Sequence, residues 1–122
     1  MRALVILIDG GDPAYFEQAA TPNLDRLERE GARRLVRAQM PTVTNVNNVS
    51  MICGAPPARH GITANYFLDP RTGREVYMES GEFLLAPTLM ERGAAAGLRT
   101  AVLASKQKLM DMIGKGAGLA VT

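Results

Sequence analysis

The sequence predicts an α/β fold with a largely parallel sheet flanked by helices, and three observations carry that prediction. Residues 2–8, apolar throughout after Arg2, run into Asp9-Gly10-Gly11-Asp12-Pro13, the composition of a strand buried on both faces that leads into a tight turn. Thr21-Pro22 opens residues 23–30 with an N-cap type, a proline in the first turn and Gly31 as a stop, which predicts a short amphipathic helix. The order that follows along the chain is strand, helix, strand, helix, excursion, helix, strand, as in a sheet built by crossovers.

Taken in order, the first strand places Asp9 at its C-terminal end, and the helix after it turns Leu24 and Leu27 toward the sheet. Residues 31–39 return as a strand, after which Pro41-Thr42-Val43-Thr44 turns into a second helix near residues 47–53. Residues 65–78 hold two short aromatic or β-branched runs around Asp69-Pro70-Arg71-Thr72-Gly73, a turn composition that predicts a hairpin-like excursion with an exposed tip. Residues 87–97 read as a helix with a glycine cap, 100–104 as a strand and 105–113 as a further helix or helical turn. Residues 114–122 trail off in glycines with neither a capped helix nor a finished strand, so the chain is expected to be cut short.

A chain of 122 residues suffices for one compact domain, or part of one. Fourteen Lys and Arg stand among twelve Asp and Glu without forming a run, which argues against nucleic acid and membrane surfaces as partners. The single cysteine, Cys53, cannot form an intramolecular disulfide and sits in an apolar stretch, so a buried thiol in a reducing compartment is expected. The aliphatic run at residues 3–8 is too short for a membrane span or a complete signal-peptide core. The expected localisation is cytoplasmic.

In open α/β sheets the ligand crevice lies at the carboxyl ends of the strands, which directs attention to Asp9, Thr44 and the segment Ser105-Lys106-Gln107-Lys108. Asp9 could coordinate a cation, or could cap backbone N–H groups of its turn. Thr44 precedes a helix start, where N–H groups and the helix dipole favour an alkoxide and phosphoryl oxygens; it could equally be only the N-cap. Lys106 and Lys108, two apart, share one side of an extended segment but diverge on a helix, and the alternative to anion binding is a solvated face. His60, the only histidine, reads as a structural loop residue, and no multi-histidine metal site can be built from this chain.

Together, Leu7-Ile8-Asp9-Gly10, Thr21-Pro22-Asn23-Leu24-Asp25-Arg26-Leu27, Met40-Pro41-Thr42-Val43-Thr44-Asn45-Val46-Asn47-Asn48, Gly54-Ala55-Pro56-Pro57 and His60-Gly61-Ile62-Thr63 resemble, in order and spacing, the opening of alkaline phosphatase superfamily enzymes. Within it, Thr44-Asn45-Val46-Asn47-Asn48, Asn65-Tyr66-Phe67-Leu68-Asp69-Pro70 and the paired Lys106 and Lys108 resemble the phosphonoacetate hydrolases more than the nucleotide pyrophosphatase and phosphodiesterase branch. That branch usually has a lysine before its threonine and Phe-Pro-Asn-His after it, where this chain has Val43 and Asn45-Val46-Asn47-Asn48. The resemblance implies an alkaline-phosphatase-like fold, of which residues 1–122 are the N-terminal part of one catalytic domain. It further implies that Asp9 and Thr44 ligate one of two zinc ions, and that Thr44 is also the nucleophile that becomes phosphorylated. Asn65 would then donate to a phosphoryl oxygen while Lys106 and Lys108 hold the carboxylate of a small phosphonate. The implied reaction is cleavage of phosphonoacetate to acetate and phosphate.

Family members are several times longer and supply further Asp and His ligands, so these residues alone are expected not to turn over substrate. Other expectations are a phosphodiesterase or pyrophosphatase that uses the same Asp9 and Thr44, a non-catalytic α/β binding module without metal, or an incomplete chain that does not fold. A homodimer is left open.

Overall fold

The computed structural model describes residues 2–122, which divide into two compact units, the first ending at Arg37 and the second Ala38–Thr122. In the first unit, α1 (Pro13–Gln18) starts where the Asp12 side chain accepts the Ala14 N–H at 2.8 Å, with proline at the position whose N–H would be unpaired anyway. Helix α2 (Pro22–Glu30) falls where the sequence predicts it. Thr21 occupies its N-cap position without capping, because its hydroxyl donates to Asp25 Oδ1 at 2.8 Å instead. Arg33 ties the unit together, donating to Glu17 at 3.0 Å and lying 3.6 Å from Glu28.

Two expected strands are not found: among the described residues neither 2–8 nor 31–39 is paired into a sheet. Leu4, Val5, Ile6, Leu35 and Val36 are exposed, as are Leu24 and Leu27, which were expected to face a sheet. Apolar β-branched composition makes a segment fit to be a strand, but a strand exists only when a neighbour takes its N–H and C=O groups. The first stretch instead ends in a turn in which Gly11 donates to the Ile8 carbonyl and Gly10 takes a positive φ of 72°.

The second unit opens with α3 (Thr44–Cys53), which ends at Gly54 in the left-handed conformation, and continues with α4 (Pro57–His60). Helix α3 begins three residues earlier than the sequence predicts. The expected excursion is a true hairpin: β1 (Tyr66–Asp69) pairs antiparallel with β2 (Arg74–Tyr77), Tyr66 opposite Tyr77 and Phe67 opposite Val76. Its turn is held by Asp69, whose carboxylate accepts the Arg71 N–H at 2.9 Å and is held below the usual carboxylate range by that bond. A 3-10 turn (Gly81–Phe83) leads to α5 (Leu89–Ala95), β3 (Ala101–Leu103), α6 (Gln107–Ile113) and β4 (Leu119–Val121). The glycine-rich end, expected to hold no finished strand, therefore contains one: β4 pairs parallel with β3, with α6 as the crossover.

The core gathers on α3, where Val46, Val49 and Cys53 pack with Ile62, Met78, Leu84 and Met112. Burial pushes the Cys53 thiol up, away from the reactive thiolate, as its apolar setting predicts. Gly61 lies against the Phe83 carbonyl and the Leu85 side chain at φ 88°, so a Cβ has no room there.

His60 is fully buried, and its hydrogen bonds define its tautomer. Nδ1 accepts the Ile62 N–H at 3.2 Å, so the proton is on Nε2, which donates to Ser50 Oγ at 2.8 Å while that hydroxyl donates to the Val46 carbonyl at 2.7 Å. Burial lowers its pKa below the ordinary 6.5. The unfolded chain then takes up a proton that the folded one refuses, so His60 leaves stability intact above pH 6.5 and removes it as pH falls toward the lowered value. Melting temperatures recorded between pH 7.5 and 5 (roughly the range in which histidine titrates) should fall on the acid side, and more steeply than in His60→Gln. Parallel curves for the two proteins would count against a buried neutral imidazole.

Candidate functional site

Helix α3 takes its N-cap from Val43, with no side chain capping it, so Thr44 is the first helical residue and not the cap. The N-cap alternative for Thr44 is thereby set aside. Thr44 is half-buried at the end of the helix where N–H groups outnumber local carbonyl partners and the dipole is positive. It has a polar or electrostatic partner in the fold, as does Asp9.

Three asparagines follow within four residues, each a weak helix former that competes for backbone hydrogen bonds. Each is used. Asn45, buried, donates to the Met78 carbonyl at 3.2 Å. Asn48, also buried, donates to the carbonyl of Thr44 itself at 2.9 Å. Asn47 turns outward to the segment that enters the helix, accepting the Gln39 N–H at 2.9 Å and donating to the Gln39 carbonyl at 3.1 Å.

Met78 joins this turn to the next candidate. Its carbonyl takes the Asn45 bond while its own N–H donates to the Asn65 carbonyl at 2.8 Å, so the base of the hairpin fastens Asn65 to the start of α3. Asn65 is exposed. The residue after Met78 reaches the third candidate: Glu79 Oε1 accepts from Lys108 Nζ at 2.6 Å. Residues 78 and 79 thus link Thr44's helix, Asn65 and Lys108, and α6 packs on α3.

Lys106 is the N-cap of α6 and Lys108 lies within its first turn. The extended segment that would put both ammonium groups on one side ends at Leu103, so any shared ligand must be reached from a strand-to-helix turn rather than a strand. The Lys108–Glu79 pair shows that the ammonium sits where a carboxylate fits. With half of the lysine side chain in solvent, the pair contributes at most about 1 kcal/mol and can be exchanged.

Asp9 belongs to the first unit and is exposed. Among the described residues no group of three or more His, Cys, Asp or Glu side chains could hold a metal ion. Asp9 and Thr44 are each oxygen donors, in different units, and each by itself falls short of the four donors that zinc takes, while His60 has both ring nitrogens engaged in the core. The described residues do not by themselves make a metal centre. A cavity of about 230 Å³ lined by Cys53, Arg59, Ala86 and Arg92 opens at the far end of α3, away from Thr44. No helix among the described residues is long and apolar enough to cross a membrane.

Asn45 and Asn47 were not singled out as site residues from the sequence. Their signal was present as three helix-averse side chains packed into one turn, but their partners, at residues 39 and 78, are set only by the fold.

Comparison with solved structures finds crystal structures of phosphonoacetate hydrolase from Sinorhizobium meliloti. The one bound to phosphonoacetate is 44% identical with a TM-score of 0.83, and the one bound to phosphonoformate is 45% identical with a TM-score of 0.84. Each match covers 88% of this chain and 27% of that protein. An uncharacterised pyrophosphatase/phosphodiesterase of Schizosaccharomyces pombe is 33% identical over 91 residues, covering 74% of this chain and 19% of that protein. The chain thus spans about a quarter or less of the length of these relatives, while its fold is the alkaline-phosphatase-like one that the motifs implied. A profile of the type I phosphodiesterase / nucleotide pyrophosphatase family matches residues 3–112, nearly the whole chain, and on that match the chain belongs to this family, within the alkaline phosphatase superfamily.

Proposed function

We propose that the natural gene product hydrolyses the carbon–phosphorus bond of phosphonoacetate to give acetate and phosphate, with Thr44 as the nucleophile. The observation that carries this reading is the 44% identity to a phosphonoacetate hydrolase across 88% of the chain. The geometry supports it, because the hairpin base fastens Asn65 to α3 and Lys108 already holds a carboxylate.

The steps follow from the residues. Thr44 Oγ1 passes its proton to solvent and attacks phosphorus, the carbon–phosphorus bond breaks, and the electron pair passes to the methylene carbon. That carbon is stabilised by delocalisation into its own carboxylate, where Lys106 and Lys108 favour an enediolate-like leaving group; it then takes a proton to become acetate. Asn65 donates to a phosphoryl oxygen as charge accumulates there. Water next cleaves the phosphothreonine, releasing phosphate and restoring the hydroxyl, so that phosphonoacetate and water are consumed and acetate and phosphate are formed.

Zinc belongs to this proposal, with Asp9 and Thr44 as the residues of this chain that would ligate it. A bound cation would supply charge that makes a threonine hydroxyl a competent nucleophile. The proposed localisation is cytoplasmic, in keeping with the buried free thiol of Cys53.

Incubating the natural gene product with phosphonoacetate should release acetate and phosphate in equal amounts. The family profile and the S. pombe relative favour a second reading, cleavage of phosphodiester or pyrophosphate bonds by the same Thr44. Turnover of a nucleotide pyrophosphate without turnover of phosphonoacetate would replace the first reading by the second.

A further inference from the structure

We infer that Asn47 is a positioning residue for Thr44, acting on the entry to α3 and not on the substrate. The inference rests on Thr44 being the nucleophile, as proposed above. A nucleophile on the first residue of a helix is only as well placed as the segment that feeds it, and here that segment has no sheet partner among the described residues to hold it. Asn47 supplies the hold. Its amide pairs with both backbone groups of Gln39, taking the N–H at 2.9 Å and giving to the carbonyl at 3.1 Å, as a neighbouring strand would.

The same Nδ2 lies 3.3 Å from the Val43 carbonyl and 3.5 Å from that of Pro41. A side-chain amide has two N–H groups, so Gln39 and Val43 are its firm acceptors and Pro41 the marginal one. Val43 is the N-cap that directly precedes Thr44, and its backbone also accepts from Asn47 N at 3.2 Å. One side chain therefore fastens residues 39 and 43, from both ends, to the turn that carries Thr44. Its amide is spent on backbone groups on every side, which leaves it to aim the threonine and not to touch phosphorus.

The substitution that separates aiming from binding is Asn47→Asp. It keeps the shape and the acceptor for Gln39 N–H but turns the two donors into a carboxylate oxygen facing carbonyl oxygens. In the natural gene product, kcat for phosphonoacetate should fall about 10- to 100-fold, as expected for a reacting group displaced by a fraction of an ångström to about 1 Å, with KM within roughly threefold of the parent. The control is Ile62→Val, a core change that also lowers the melting temperature and should leave kcat unaltered. If Asn47→Asp does not fold, Asn47→Ser, too short to span to Gln39, carries the same comparison. An unchanged kcat in a folded Asn47 variant, or a fall in kcat equal to that of Ile62→Val at matched stability loss, overturns the inference while leaving Thr44 as nucleophile. If Thr44→Ala itself retains turnover, the functional reading fails, and the positioning role with it.

Discussion

Replacing Thr44 by alanine in the natural gene product should lower phosphonoacetate cleavage by at least about a thousandfold, the scale on which covalent nucleophiles fail when their reacting atom is removed. The stability cost should be small beside that, about 1 kcal/mol for the partner that Thr44 has in the fold. Thr44 is half-buried on the first turn of α3, it is not the N-cap, and alanine is the better helix former. That asymmetry makes the variant informative, since a loss of rate of about a thousandfold beside so small a loss of stability has no structural explanation. Thr44→Ser keeps the hydroxyl and should retain most of the activity. Acid quenching during turnover and intact-mass measurement should find one phosphoryl group on the parent and none on Thr44→Ala. A parent enzyme that turns over without ever carrying a phosphoryl group would rule out the covalent intermediate, and residual turnover near the parent rate in Thr44→Ala would rule out the nucleophile.

The second large effect is expected at Lys106 and Lys108. Removing both ammonium groups should slow phosphonoacetate cleavage on the order of a hundredfold or more, because each charge-assisted bond to a carboxylate is worth about 1.5–3 kcal/mol. A phosphate ester without a carboxylate should be hydrolysed by Lys106→Ala/Lys108→Ala as fast as by the parent. The contrast tests the chemistry assigned to these residues, because a carbanion-like leaving group depends on its carboxylate being neutralised whereas an ester oxygen does not. The singles should differ: Lys108 would have to exchange Glu79 for the substrate, whereas Lys106 stands on the extended side of the α6 cap. Equal losses on both substrates would mean that the lysines serve the fold or general anion attraction and not the carboxylate.

Helix α2, the hairpin at residues 66–77, α5, β3 and α6 were all legible, because each carries its own punctuation: prolines and caps at helix starts, glycines at stops, and Asp69 to Gly73 as a turn. The strands expected at 2–8 and 31–39 were not legible as what they are. Their composition reports a preference, and pairing is a property of two segments. The finished strand at Leu119–Val121 shows the converse, for its glycine-rich surroundings suggested nothing and its partner β3 made it a strand. Helix α1 starts at Asp12-Pro13, a pair that serves equally as the close of the preceding turn, so only the Ala14 N–H bond to Asp12 distinguishes the two.

What the sequence by itself determined is the family and the residues to examine, since several short motifs in register carry that information whatever the chain does in space. The types and spacing of Asp9, Thr44, Asn65, Lys106 and Lys108 were all present there. Only the tertiary structure decided how the second unit arranges the last four of these. Met78 serves Asn45 with its carbonyl and Asn65 with its N–H, Glu79 holds Lys108, and Asn47 fastens the approach to Thr44. The partners in these bonds lie up to 33 residues apart, and a hydrogen bond requires a distance and an angle that no residue pattern specifies until the core on α3 has brought its neighbours into place.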